Sequence, residues 1–158
     1  MAPHWKSLTK VVETLSYILK DVDPNGLDLS FTISTDALKK TKKTSKLVDM
    51  VKSRSKHLKG TTDMNLRLTE ILDAYQTELE KPKSFLRKLV LPLNLYILTD
   101  GVWEPNCDAA EPIKNLVNKL NRLDKGRVQV GIQFISFGEN AAALERLDIL
   151  DSRLGLKP

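Results

Sequence analysis

Residues 91–101 read Leu91-Pro92-Leu93-Asn94-Leu95-Tyr96-Ile97-Leu98-Thr99-Asp100-Gly101, a run apolar on both faces that stops at a turn signal. Apolar residues without strict alternation over this length predict a strand covered by helices rather than one half-exposed to water. Downstream, Ile113, Leu116, Val117 and Leu120 repeat at helical spacing. Val128, Val130, Ile132, Phe134, Ile135 and Phe137 then mark a second buried strand closed by Gly138, and Leu144, Leu147, Leu150 and Leu154 trace a last helix. Upstream, Met64, Leu68, Ile71, Leu72, Tyr75 and Leu79 form a helical stripe that Thr61, Thr62 or Asp63 can cap and that Lys81-Pro82-Lys83 ends. A weaker basic helix is predicted over 44–56, with a loop from 57 to 62. Leu27, Leu29, Phe31 and Ile33 alternate with polar residues as in a strand, after a turn at Asp23-Pro24-Asn25-Gly26. The stripe Trp5, Leu8, Val11, Val12, Leu15, Ile18 and Leu19 makes 4–20 an amphipathic helix. The order helix, strand, helix, helix, strand, helix, strand, helix predicts one α/β domain over 1–158, a mostly parallel sheet flanked by helices on both faces.

Composition agrees with a folded chain. Its 158 residues, 41% hydrophobic and 28% charged with seven Gly and seven Pro, can bury a core and exclude collagenous or wholly disordered classes. The start Met1-Ala2-Pro3-His4-Trp5-Lys6 has no apolar signal core and no apolar run reaches membrane-span length, so a cytoplasmic protein that is not integral to a membrane is expected. A single cysteine, Cys107, forms neither an internal disulfide nor a thiolate zinc cluster, and reads as a plain loop thiol.

The net charge of +5 is clustered. Between residues 36 and 60, nine basic residues (Lys39, Lys40, Lys42, Lys43, Lys46, Lys52, Arg54, Lys56 and Lys59) face two acids, Asp36 and Asp49, while the remainder carries sixteen basic against eighteen acidic residues. Such a patch suits phosphates of nucleic acid or anionic lipid, with binding that falls steeply with salt. A solvated basic loop and helix is the plainer account, since only His57 interleaves as a ring.

Other motifs are weaker. Asp21, Asp23, Asn25 and Gly26 match the opening of an EF-hand loop, but position twelve is Thr32 where a bidentate Glu is required, so a helix-to-strand turn is expected. Asp100 stands beyond the carboxyl end of an apolar strand, where open α/β sheets collect ligands and catalytic groups, although Asp-Gly is also an ordinary turn. There is no glycine-rich phosphate loop, nucleophile elbow or H-E-x-x-H motif, and His4 and His57 are isolated. Without a nucleophile, hydrolase or phosphotransferase chemistry at Asp100 is disfavoured, and the expectation is a binding module, not an enzyme.

Taken together, Gly60-Thr61-Thr62-Asp63-Met64 opening a helix, Leu95-Tyr96-Ile97-Leu98-Thr99-Asp100-Gly101 ending a strand, and Val130-Gly131-Ile132-Gln133-Phe134-Ile135-Ser136-Phe137-Gly138 resemble a von Willebrand factor type A domain. Leu144-Glu145-Arg146-Leu147-Asp148-Ile149-Leu150-Asp151 fits its last helix. The chain is most similar to intracellular type A domains of fungal multidomain proteins, in which an HW pair and a D-x-D-x-x-G-L-D-L-x-F-T segment recur, here His4-Trp5 and the residues from Asp21 to Thr32. The resemblance spans nearly the whole chain.

It implies a protein-interaction module with a metal-ion-dependent adhesion site that holds magnesium at the top of the sheet. By motif, the threonine ligand maps to Thr62 and the aspartate ligand to Asp100. The first ligand loop, D-x-S-x-S after the first strand, is absent, so the resemblance implies a fold shortened at its N-terminus, with three of five side-chain ligands upstream of residue 1. A chain cut short is the expectation. No cofactor is then required, and magnesium binding is expected only if that loop is restored. The implied partner surface comprises Thr62, Asp100, Gly101, Val102 and Trp103, with Trp103 either an exposed anchor or packed into its own fold. Without the missing strand, the edges of 27–34 and 91–98 either close on each other or stay open and invite self-association. The runner-up is a nucleic-acid- or anionic-lipid-binding protein using residues 39–59.

Overall fold

The apolar stripe that opens the chain folds as α1 (Trp5–Leu19). In the computed structural model the described residues are 1–58, 63–81, 89–104 and 106–154. They divide into two compact units, Met1–Thr62 and Asp63–Pro158.

In the first unit, the Asp23 carboxylate accepts from Asn25 N at 2.8 Å and its carbonyl from Gly26 N at 3.2 Å, forming the expected helix-to-strand turn. Gly26 has φ +83°, and a Cβ there would lie 2.9 Å from the Lys40 backbone carbon. The chain continues as β1 (Leu27–Phe31), β2 (Ser34–Thr41) and α2 (Thr44–Arg54). β1 and β2 form an antiparallel hairpin in which Leu29 faces Leu38 and Phe31 faces Ser34. Between the pairs Leu27–Thr41 and Leu29–Leu38 one residue, Asp28, stands opposite two, Lys39 and Lys40. This is a β-bulge. α2 buries Leu47, Val48 and Val51, and the Trp5 indole N–H donates to the Val51 carbonyl at 3.0 Å, tying the first turn of α1 to α2. Trp5 stacks on Phe31 with centroids 6.5 Å apart.

The second unit contains α3 (Met64–Glu80), β3 (Leu93–Thr99), α4 (Ala110–Arg122), β4 (Val130–Ser136) and α5 (Ala141–Ser152). Asp63 caps α3, its carboxylate accepting from Leu66 N at 2.8 Å. β3 and β4 are parallel, in register from Leu93–Val130 to Thr99–Ser136. Leu68, Leu72, Leu116 and Ile97 close a core that also takes in Trp103 and Leu150. Fully burying a leucine of this kind is worth about 1.5–3 kcal/mol.

The expectation of an α/β fold is met; that of one mostly parallel sheet is met only in part. The described strands make two separate pairs, one parallel and one antiparallel. The partner of β1 comes from Ser34–Thr41, between the expected strand and the expected basic helix. Within its own unit, the strand expected at 27–34 pairs with β2 and the strand expected at 91–98 pairs with β4. No helix among the described residues is long and apolar enough to cross a membrane.

Candidate functional site

Thr99, the last residue of β3, is 3% exposed, and its hydroxyl oxygen accepts two hydrogen bonds: from Gly101 N at 3.0 Å and from the Trp103 indole N–H at 2.8 Å. Its carbonyl accepts from Phe137 N at 2.8 Å, which carries the β4 ladder one residue past the strand. A buried hydroxyl with both lone pairs engaged is a rigid pivot, because breaking either bond leaves a buried donor unpaired.

The turn beyond it is fixed from α5. Gly101 is buried with φ +68°, and a Cβ there would stand 2.6 Å from Ala143 Cβ. Only glycine accepts both that conformation and that approach. One helical turn on, Arg146 donates from Nη1 to the Gly101 carbonyl at 2.8 Å and lays its guanidinium 5.3 Å from the centre of the Trp103 ring. Ala143 and Arg146 are three residues apart and share a helix face. Asn140 caps this helix by accepting from Ala143 N at 3.0 Å.

Asp100 is half-buried, and its Oδ1 accepts from Val102 N at 3.2 Å, closing an Asx turn. Val102 is 56% exposed. The turn thus holds Gly101 and Trp103 inward, keeps Asp100 at the margin and puts Val102 outside. The loop then runs to α4, where Cys107 Sγ accepts from Asn65 N at 3.1 Å and the Asp108 carboxylate accepts from Ala110 N at 2.8 Å. The carboxyl end of β3 therefore stands against the first turn of α5, and its following loop against the first turn of α3.

Of the five residues expected at a partner surface, the structure brings together Asp100, Gly101, Val102 and Trp103; Thr62 lies outside the described residues, as does Lys59 of the basic patch. Trp103 takes the second of its two expected roles. It is 7% exposed and packed against Phe134, with centroids 6.1 Å apart, so it holds the turn and is no exposed anchor. The sequence marks Thr99 only as part of the turn, and no motif in it announces the hydrogen bonds that Thr99 accepts or the bond that Arg146 donates. A signal for Arg146 is its place in Ala143-Leu144-Glu145-Arg146, where a cation shares a face with the alanine that meets Gly101.

The other residues of the basic patch belong to the first unit. Lys39, Lys40, Lys42, Lys43, Lys46, Lys52 and Lys56 are exposed, whereas Arg54 pairs with Asp36 and lies over Phe31.

A groove of about 830 Å³ lies in the second unit between α4, β4 and α5, with Leu116, Leu120, Phe134 and Leu147 among its apolar lining and Lys125, Asp148 and Asp151 among its polar residues. Among the described residues, no three His, Cys, Asp or Glu side chains stand close enough together to hold a metal ion. Asp100 by itself does not make a magnesium site, since that ion requires near-octahedral oxygen coordination. Comparison with family models, with curated proteins and with solved structures finds no match to this chain.

Proposed function

We propose that the second unit is a protein-interaction module of the von Willebrand factor A type that acts without a resident metal, and that it is not an enzyme. Its contact surface is the turn after β3, with Val102 and Asp100 presented at the carboxyl end of the parallel pair. The observation that carries this reading is the double hydrogen bond to the buried Thr99 hydroxyl, which fixes the turn in one conformation. A loop fixed before binding loses little entropy on association, and that is the general route by which a small surface reaches useful affinity. The end of a parallel strand next to helix N-termini is also where α/β folds present their ligand-facing groups.

A photoreactive amino acid at position 102 tests the reading. A discrete cross-linked partner is expected from position 102, lost with Asp100→Ala and retained with Glu111→Gln. Cross-linking of the same proteins from Val128, an exposed residue at the opposite end of the parallel pair, overturns it. Magnesium is expected to leave the melting temperature unchanged; a saturable rise abolished by Asp100→Ala restores the metal-dependent mode, because a ligand that binds only the native state must stabilise it.

A further inference from the structure

From the bulged hairpin of the first unit we infer that β2 and α2 form a docking ridge for the phosphate backbone of duplex nucleic acid, an inference independent of the function proposed for the second unit. The first observation is the bulge. In a regular strand, consecutive side chains point to opposite faces, so Lys39 and Lys40 could not both leave the core side. Here Asp28 stands opposite both, its carboxylate accepts from Lys40 N at 2.7 Å, and Lys40 is driven to φ +53°, a left-handed conformation that lysine rarely adopts. Both lysines are exposed as a result. A bulge of this kind re-aims side chains, and strain held in place by a neighbouring side chain is grounds for inferring a role.

The second observation is which charges are neutralised. Arg54 is taken up by Asp36 and the Phe31 ring, while Lys39, Lys40, Lys42, Lys43, Lys46, Lys52 and Lys56 make no ion pair among the described residues. Asp28 is engaged at the bulge, which leaves Asp49, on α2 between Lys46 and Lys52, as the acid nearest in sequence. α2 also starts with lysines at its positive end: Lys43 is the N-cap residue, without a side-chain cap bond, and the first turn holds no acid. Intramolecular electrostatics oppose that arrangement, and an anion laid along it relieves the repulsion.

The chemistry of the ridge selects the polyanion. Lysine ammoniums meet phosphates as point charges, whereas the planar fork of arginine is best suited to bidentate contacts with base edges, and the ridge's arginine is occupied. His57 is the only exposed ring between residues 36 and 58, so this stretch supplies no row of aromatic rings on which single-stranded bases could stack. Lipid anchoring of lasting strength takes an apolar insertion beside the charge. Leu38, Leu47, Val48, Met50 and Val51 are all buried or half-buried, so the ridge offers a bilayer nothing to insert. A duplex backbone, read by charge and spacing alone, is the partner that fits.

The test uses the full 158-residue chain and fluorescence anisotropy with two short DNA duplexes of unrelated sequence. Both are expected to bind with affinities within about twofold of each other at about 50 mM salt, with log K falling against log salt at a slope near −4 to −6, about 0.9 per phosphate neutralised. Replacing Lys39, Lys40, Lys42 and Lys43 by Gln is expected to flatten that slope by about 3 to 4. Replacing Lys81, Lys114, Arg122 and Arg153, four exposed basic residues of the second unit, leaves it unchanged. All eight changes are at exposed side chains, and a circular dichroism melt confirms that each protein is folded. The inference is overturned by no duplex binding at low salt, by an unchanged slope in the first variant, by a preference above about tenfold for one sequence, or by retention on phosphatidylserine vesicles in place of duplexes.

Discussion

Each unit of the chain sets one tryptophan, one phenylalanine and one arginine in contact, and the two trios are wired differently. In residues 1–62 the phenylalanine is central: Trp5 stacks on Phe31, Arg54 covers Phe31 from 5.9 Å, and the arginine closes on the Asp36 carboxylate of β2. In residues 63–158 the tryptophan is central: Phe134 packs beside Trp103, Arg146 covers it, and the arginine donates to the backbone of the turn at Gly101. The first trio seals a hairpin onto its helices with charges partly in water. The second spends the same side chains on positioning a loop. A buried backbone carbonyl holds an arginine in one geometry more tightly than a half-exposed carboxylate does, because solvent and salt weaken the latter.

Removing the tryptophans separates the two cases most strongly. Trp103→Ala leaves a cavity in the core and strips one bond from Thr99, and is expected to cost about 3–5 kcal/mol. Trp5→Ala, at a half-buried site, is expected to cost about 2 kcal/mol. Urea denaturation of both variants measures the difference, and equal losses would mean that Trp103 is no more structural than Trp5. A milder change, Trp103→Phe, keeps the ring but removes the N–H, and should cost about 1 kcal/mol because Gly101 N still bonds to Thr99.

The glycines come next. Gly26→Ala and Gly101→Ala each force alanine into a left-handed conformation and into contact below 3.0 Å, with an expected loss of about 3 kcal/mol apiece. They differ in what could yield. The added methyl meets the Lys40 backbone in one case and the Ala143 side chain in the other. Ala143→Gly should therefore offset part of the Gly101→Ala loss, by about 1 kcal/mol of non-additivity in a double-mutant cycle. No side-chain truncation can do so at Gly26. An additive cycle would place the steric conflict elsewhere than at Ala143.

The arginines test the wiring directly. Arg146→Met is expected to lose about 1.5 kcal/mol, little affected by salt, since it deprives a buried carbonyl of its donor. Arg54→Met should lose about 1 kcal/mol or less, most of it already gone in wild-type protein at about 1 M salt, where the screening length is about 3 Å. Melting both variants against wild type at low and high salt distinguishes the two; matching salt dependence would remove the contrast drawn between the trios.

Much of this architecture was legible in the chain itself, and what was not has identifiable causes. α1, α3, α4 and α5 and the parallel pair β3 and β4 follow from apolar spacing, because each presents a continuous face to a core. β2 was hidden. Its sequence, Ser34-Thr35-Asp36-Ala37-Leu38-Lys39-Lys40-Thr41, has one large apolar residue and several poor strand formers, and pairing with β1 overrides that local preference. The hairpin loop, Thr32-Ile33, contains none of the Gly or Asn residues that announce a two-residue turn, and the bulge breaks the alternation that remains. At the candidate site the Thr99-Asp100-Gly101 turn was evident from its residues. The lock was not, since Arg146 lies 45 residues away from the carbonyl it holds. Charge divides with equal clarity, twelve basic against six acidic residues in the first 62 and thirteen against fourteen in the rest.

The smallest expected effect concerns the tyrosines. Tyr75 on α3 donates to the Leu91 carbonyl at 2.8 Å and accepts from Gln129 Nε2 at 2.5 Å, so one hydroxyl reaches the approaches to both β3 and β4. Burial pushes its pKa above the usual 10.0, outweighing hydrogen bonds from Gln129 and at the Leu93 backbone that pull it down. The folded state thus holds this proton more tightly than the unfolded chain does. The associated stability is complete below pH 10 and is lost as pH rises from 10 through the folded value. Tyr75→Phe should cost about 1 kcal/mol at neutral pH, and the gap between wild type and variant should shrink above pH 10. Lysine titration begins in the same range, near 10.4, but affects both proteins alike, so the difference between them isolates the tyrosine. Tyr17, 67% exposed at the end of α1 with Lys20 over its ring, is the control. Tyr17→Phe keeps that ring and buries no hydroxyl, and should change stability by less than about 0.5 kcal/mol at neutral pH. Equal losses for Tyr17→Phe and Tyr75→Phe at neutral pH, or a constant gap for Tyr75→Phe above pH 10, would show that the second unit does not depend on its buried polar ties more than the first does.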